Sequence, residues 1–204
     1  MKKLTPNGAF RKLAAIYDAM VSRYVESAQV IGLTCDDCAE NCCLTFFQHH
    51  TYVEWAYLWE GLAALPPERL EAVRQRAHEY VEQAREALSR GLRPRVMCPL
   101  NLDREQGLCG LYDHRLMICR MHGVPNELVR PDGRRVSFPG CQRCQGLTEG
   151  LRAGGHAVPV VDRTPLYKEL AALEMRFVGA NLRRLPKVDH TIAEMIVLGP
   201  PRLK

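Results

Sequence analysis

The sequence predicts a mainly α protein, a small helical domain with a loop-rich cysteine core and one short β-hairpin. Three observations lead to this. Apolar residues recur at helical spacing in several stretches, nine cysteines gather in two irregular regions, and one strand-like run is broken by a Pro-Asp-Gly turn. With 204 residues, 47% of them hydrophobic, the chain can bury a core without metal to compensate for small size. One domain over 1–204 is expected, its cysteine core at about 33–145 and helical elements packed around it.

In the first element Leu13, Tyr17, Met20, Val21 and Tyr24 follow Phe10 at helical spacing, with Arg11, Lys12, Asp18, Ser22 and Arg23 between them. An amphipathic helix starting near Pro6-Asn7-Gly8 and stopping at Ile31-Gly32 follows, its apolar stripe facing the core. It delivers the chain into Leu33 to Leu44, LTCDDCAENCCL, where four cysteines stand as Cys35-x2-Cys38-x3-Cys42-Cys43. A small hydrophobe would pack as well as a thiol without the oxidation risk, so a metal or cluster is the economical reason for them. Cys35 and Cys38 form a knuckle, the short loop by which two thiolates reach one metal. Cys42 and Cys43 are adjacent, and neighbouring side chains diverge on helices and strands alike. Two sulfurs on one zinc lie only about 3.8 Å apart. The pair therefore suits different irons of one cluster, two neighbouring centres, or one ligand beside one core thiol.

Thr45 to Trp59 is rich in aromatics, and the spacing of Tyr52, Trp55 and Trp59 predicts a short buried helix. His49-His50 precedes it; either imidazole could ligate a metal, although adjacent histidines near a helix start read first as partly exposed residues. After Pro66-Pro67, the positions of Leu70, Val73, Ala77, Tyr80, Val81, Ala84 and Leu88 mark a long amphipathic helix to about Arg90, with Gly91 just beyond its end. His78 falls on its polar side.

Arg95 to Gly123 carries the second informative stretch. Cys98-Pro99 begins an extended or turn segment, Gly107 precedes Cys109, and a short helix over Leu111 to Ile118 would deliver Cys119. Intervals of eleven and ten positions are too long for knuckles, so three loop ends are expected to bring one thiolate each. Arg115 and Arg120 stand where positive charge would favour thiolates. Leu128 to Phe138 reads as a hairpin turning at Pro131-Asp132-Gly133, and it runs into a second knuckle, Cys141-x2-Cys144. One possible arrangement pairs Cys35 and Cys38 with Cys141 and Cys144, leaving Cys42 or Cys43 with Cys98, Cys109 and Cys119. The two cysteine-bearing stretches are expected to close around a shared site.

Gly150 to Asp162 reads as a connection. Thr164-Pro165 then starts a helix along Leu166, Leu170, Leu173, Phe177 and Ala180 that stops before Pro186. Thr191 and Glu194 form a capping-box pattern ahead of a short terminal helix.

Several function classes recede. There is no GxGxxG, P-loop or recognisable Ser-His-Asp arrangement, and no run approaches the ~20 apolar residues of a membrane span. The start has no apolar signal core, so a cytoplasmic location is expected, where cysteine patterns mean metal or redox chemistry rather than disulfides. The formal charge of +5 hints at nucleic acid but counts every cysteine as neutral. A divalent centre on four thiolates carries a net −2, so two would bring the balance to about +1. Basic clusters such as Arg130 and Arg134-Arg135 lack interleaved aromatics, so nucleic-acid binding is not expected.

The CxxC followed by a CC pair, then CPL, a G-x-C-x2-Y-x2-R segment and a final CR, resembles the YkgJ-type cysteine-cluster family, described as zinc- or iron-chelating proteins. The resemblance covers about Leu33 to Gly123, with an extension toward Cys144. Three residues, Ala39-Glu40-Asn41, precede the CC pair where the family usually has two, and Leu116 replaces a usual proline. The resemblance implies a metal centre more firmly than an activity. A similar cysteine cluster occurs in flagellin lysine methylases, which makes methyl-transfer chemistry a remote analogy. The leading expectation is one or two iron–sulfur clusters, of 4Fe-4S type, serving electron transfer or redox support of a partner enzyme. A zinc-binding interaction module is the alternative, and a cluster-dependent enzyme the weaker third. All nine cysteines, Cys35, Cys38, Cys42, Cys43, Cys98, Cys109, Cys119, Cys141 and Cys144, are candidate ligands.

Overall fold

A computed structural model describes residues 3–35, 38, 42–103 and 108–203. In chain order these form α1 (Pro6–Ile31), α2 (Tyr52–Ala63), α3 (Pro67–Ser89), β1 (Asn101–Asp103), β2 (Leu108–Cys109), α4 (Met117–Met121), β3 (Asn126–Val129) and β4 (Arg135–Phe138). There follow α5 (Gln142–Ala153), β5 (Val161–Asp162), α6 (Thr164–Val178) and α7 (Ile192–Val197). The chain is 58% helical, which is the mainly α class that the periodicity predicts. No helix among the described residues is long and apolar enough to cross a membrane.

The fold divides into two compact units interleaved along the sequence. The first comprises Met1–Leu4, Asn41–Leu116 and Glu174–Lys204; the second comprises Thr5–Glu40 and Met117–Leu173.

In the first unit α3 packs against α7. Val73, Ala77, Tyr80 and Ala84 are buried at helical spacing, while the Glu- and Arg-rich face and His78 stay exposed. Pro67 opens α3 because a first-turn proline forgoes no helical hydrogen bond. Two tryptophans of α2 complete the end of α7: Trp55 and Trp59 each donate from Nε1 to the Met195 carbonyl (3.1 and 2.9 Å), and Trp55 also donates to Gly199 (2.9 Å). The start of α7 carries the full capping box of Thr191 and Glu194. The start of α2 uses a carboxylate distant in sequence. Glu174 accepts from the Tyr52 and Val53 N–H groups at 2.8 and 2.9 Å, meeting the unpaired donors and positive pole of the helix end. Burial pushes its pKa up, and these two bonds oppose that.

In the second unit α1 packs on α4 and α5 through buried Leu13, Ile16, Tyr17 and Met20. Its bounds are those the sequence implies, with Thr5 accepting from the Gly8 N–H at the start and Gly32 at φ 73° at the end. β3 and β4 are the expected hairpin, in register Asn126↔Phe138 to Val129↔Arg135.

Several elements depart from expectation. β5 pairs in parallel with β3, and β1 pairs with β2 across an irregularity; strands of two or three residues carry no readable period. The helix expected over 111–118 is split. Tyr112–His114 forms a 3-10 turn, Arg115 is extended at ψ 136°, and Cys119 lies inside α4. At the start of α6 the Thr164 N–H is taken by Asp162 Oδ1 (2.8 Å), while the Thr164 hydroxyl accepts from Val129 N–H (2.9 Å). The helix α5 occupies a stretch read as knuckle and connection. Gly146 and Gly150 dilute its apolar pattern, and it buries only Cys144 and Thr148 fully, one turn apart.

Candidate metal centres

None of the nine cysteines forms a disulfide. Four belong to the first unit and five to the second.

The first set gathers around Asn101. Cys42 and Cys43 lie in a 3-10 turn, and the Cys43 carbonyl accepts from the Cys98 N–H at 2.9 Å. The Cys98 carbonyl in turn accepts from the Asn101 N–H at 3.0 Å, and Asn101 stands opposite Cys109 in the β1–β2 pair. These bonds bring Cys42, Cys43, Cys98 and Cys109 into one neighbourhood although 67 positions separate its ends in sequence, from Cys42 to Cys109. The adjacent thiols do not diverge as expected. The turn lets the Cys42 thiol donate to the Cys43 sulfur, and this is the main influence lowering the Cys43 pKa to about 6 against the opposing effect of burial. The Asn101 amide and the Arg115 guanidinium also favour that thiolate. The Asn101 contact falls short of full hydrogen-bond geometry, since both polar atoms of its buried amide lack a partner. Arg115 is further held over the Tyr112 ring at 3.6 Å.

The second set gathers where the end of α1 meets the start of α5. Arg143 Nη2 donates to Thr34 Oγ1 at 3.3 Å, tying the Cys35 and Cys38 loop to the Cys141 and Cys144 turn. Cys141 is the N-cap of α5, and its N–H donates to the Gly123 carbonyl at 3.0 Å. Burial raises the Cys141 pKa, the Cys144 N–H opposes this, and the charges of Cys38 and Cys35 raise it further. Cys144 is fully buried; burial and then Cys141 raise its pKa to about 11. Cys141 thus feels the charge of both cysteines of the other knuckle, and Cys144 that of Cys141. Cys119 belongs to the same unit, half-buried in α4. It is on a helix and not at the loop end expected of it. Arg120 beside it stacks over Tyr17 at 4.3 Å. The spacer 39–41 and Gly107 lie outside the described residues.

An all-sulfur donor set has the chemistry of zinc or iron–sulfur ligation. Among the described residues, no three Cys, His, Asp or Glu side chains are already placed to hold one ion. The two sets offer donors of the kind such centres use.

His49 is not the part-exposed residue expected of it. His50 is exposed, but His49 is 1% exposed, with its backbone paired to His190 and neither ring nitrogen hydrogen-bonded among the described residues. Burial, with a lesser contribution from His50, pushes its pKa down from 6.5 to about 3. The folded protein holds it neutral, whereas the unfolded chain takes up a proton below pH 6.5. This residue costs no stability above that pH, and stability falls by about 1.4 kcal/mol per unit between pH 6.5 and 3. Urea unfolding at pH 7 and pH 5 should show wild type losing about 2 kcal/mol more than His49→Gln over that interval. Equal losses would show that His49 does not set the acid limit.

Sequence reasoning gave no role to Asn101. Asn101 follows Cys98-Pro99-Leu100 directly, but no local pattern marks an asparagine as a hub. Fold and site together define a mainly helical protein with one thiol set in each of two units. No family model, curated protein or solved structure matches the chain.

Proposed function

We propose that the chain is a metal-binding cysteine-cluster protein with a centre in each unit, most simply an iron–sulfur protein in electron transfer or redox support of a partner enzyme. One observation carries this reading. The nine cysteines divide four and five, Cys42, Cys43, Cys98 and Cys109 in one unit and Cys35, Cys38, Cys141, Cys144 and Cys119 in the other, so each unit holds at least four. Four thiolates complete either a zinc site or a [4Fe–4S] cluster. Cys119 is the ninth thiol. Packing alone gives no reason for four thiols in each neighbourhood, most of them only half-buried or exposed.

Zinc is the second reading, favoured by one contact. The Cys42 thiol reaches the Cys43 sulfur, which removes the geometric objection to both ligating one ion. Metal and acid-labile sulfide analysis of protein purified without oxygen, together with its visible spectrum, separates the two. Brown protein with iron and sulfide in equal amounts is expected. Colourless protein with stoichiometric zinc would overturn the cluster, and neither metal would overturn both readings.

A further inference from the structure

We infer that Asn101 is the positioning residue of the first metal centre, its buried amide N–H donating to the sulfur of metal-bound Cys43 and so deciding how firmly the first set holds its metal. The inference rests on the metal-binding reading of that set. Asn101 acts only through the thiolate and is not itself a ligand.

The backbone fixes where the amide stands. The Asn101 N–H donates to the Cys98 carbonyl at 3.0 Å, and the preceding Leu100 carbonyl accepts from the Gly110 N–H at 2.7 Å. Asn101 is therefore held between the Cys98 turn and the strand that carries Cys109. The residue is 8% exposed, and neither polar atom of its amide reaches solvent or has a full hydrogen bond among the described residues. The amide is turned to the Cys43 sulfur, toward which it is a donor.

A buried amide without a partner is rare in native proteins, because it has given up water for nothing. The other buried asparagine among the described residues, Asn126, shows the ordinary arrangement. Its Nδ2 donates to the Met121 and Val124 carbonyls at 3.2 and 3.0 Å. Asn101 has no such carbonyl and faces a thiol instead. A neutral thiol is a weak acceptor, but metal ligation removes its proton, and a thiolate takes a charge-assisted hydrogen bond. The amide thus gains its partner when metal binds, and the gain adds to the affinity of the first set alone. In an iron–sulfur centre the same bond favours the more negative, reduced state.

The test is metal release from protein purified without oxygen, challenged with a coloured chelator that binds both iron and zinc, in wild type, Asn101→Leu and Asn101→Asp. Leucine keeps the volume and removes both polar atoms. Aspartate keeps the shape, removes the N–H and adds a charge. In both variants the first set's half of the metal should leave at about one-tenth of the chelator concentration that wild type needs, the scale of losing an outer-shell partner. The other half should leave as in wild type. Where the metal is an iron–sulfur cluster, redox titration should show one of two potentials lowered in both variants, a shift that lost packing alone would not bring. Unchanged release in Asn101→Leu would overturn the proposal. Equal weakening of both halves would also overturn it, by making Asn101 a scaffold residue. Wild type that holds no metal as purified would instead overturn the metal-binding reading, and this inference with it.

Discussion

Replacing Cys98 and Cys109 together with alanine is expected to remove about half of the bound metal, and replacing Cys141 and Cys144 to remove the other half. Each pair belongs to a set assembled within one unit. Cys98 and Cys109 meet Cys43 through the bonds around Asn101, whereas Cys141 and Cys144 meet Cys35 and Cys38 through Arg143 and Thr34. Removing two of four thiolates leaves too few donors to close a structural site. Because the apparent binding free energy of a structural metal is about 10–16 kcal/mol in zinc-finger peptides, the loss should also lower the thermal midpoint steeply. Metal per chain, measured on both double variants, checks this. Loss of all metal from either would mean one shared centre, and full retention in either would remove that pair from the ligand set.

A single methyl group should be nearly as damaging at Gly140. This glycine sits at φ 94°, in the region L side chains avoid, directly before Cys141. A Cβ there would stand 2.7 Å from the Gly123 carbonyl oxygen and 2.8 Å from the Cys144 sulfur. Neither neighbour can easily yield. The carbonyl is bonded to the Cys141 N–H, and Cys144 is fully buried. Backbone strain and overpacking together predict a loss of about 3 kcal/mol in Gly140→Ala, with the metal of the second set lost and that of the first kept. Gly133 is the control, at φ 81° with open space around it, so Gly133→Ala should cost only about 1 kcal/mol. Urea unfolding of the two variants tests the comparison. Equal losses would show that the turn can accept the added carbon.

Much of the helical frame was legible because its signals are local. Pro6 and Gly32 bracket α1, Pro67 and Gly91 bracket α3, and Thr191 with Glu194 starts α7. Each signal acts within a turn or two of its own helix, where caps and φ preferences are decided by neighbouring residues. The Pro-Asp-Gly turn of the β3–β4 hairpin is of the same kind. The helix α5 escaped because two glycines and few apolar residues left no stripe to read.

By itself, the sequence determined the mainly α class, the ends of its longest helices and the identity of nine candidate thiols. Only the tertiary structure decided which thiols become neighbours. Cys109 comes to Asn101 through the pairing of β1 with β2, and Cys141 comes to the end of α1 through Arg143 and the Gly123 carbonyl. The same folding buries His49, turns the Cys42 thiol onto the Cys43 sulfur and buries the Asn101 amide beside it. The physical reason is range. Helix periodicity and caps are set by contacts a few residues long, but a shared site depends on where distant segments return, and no spacing along the chain encodes that return.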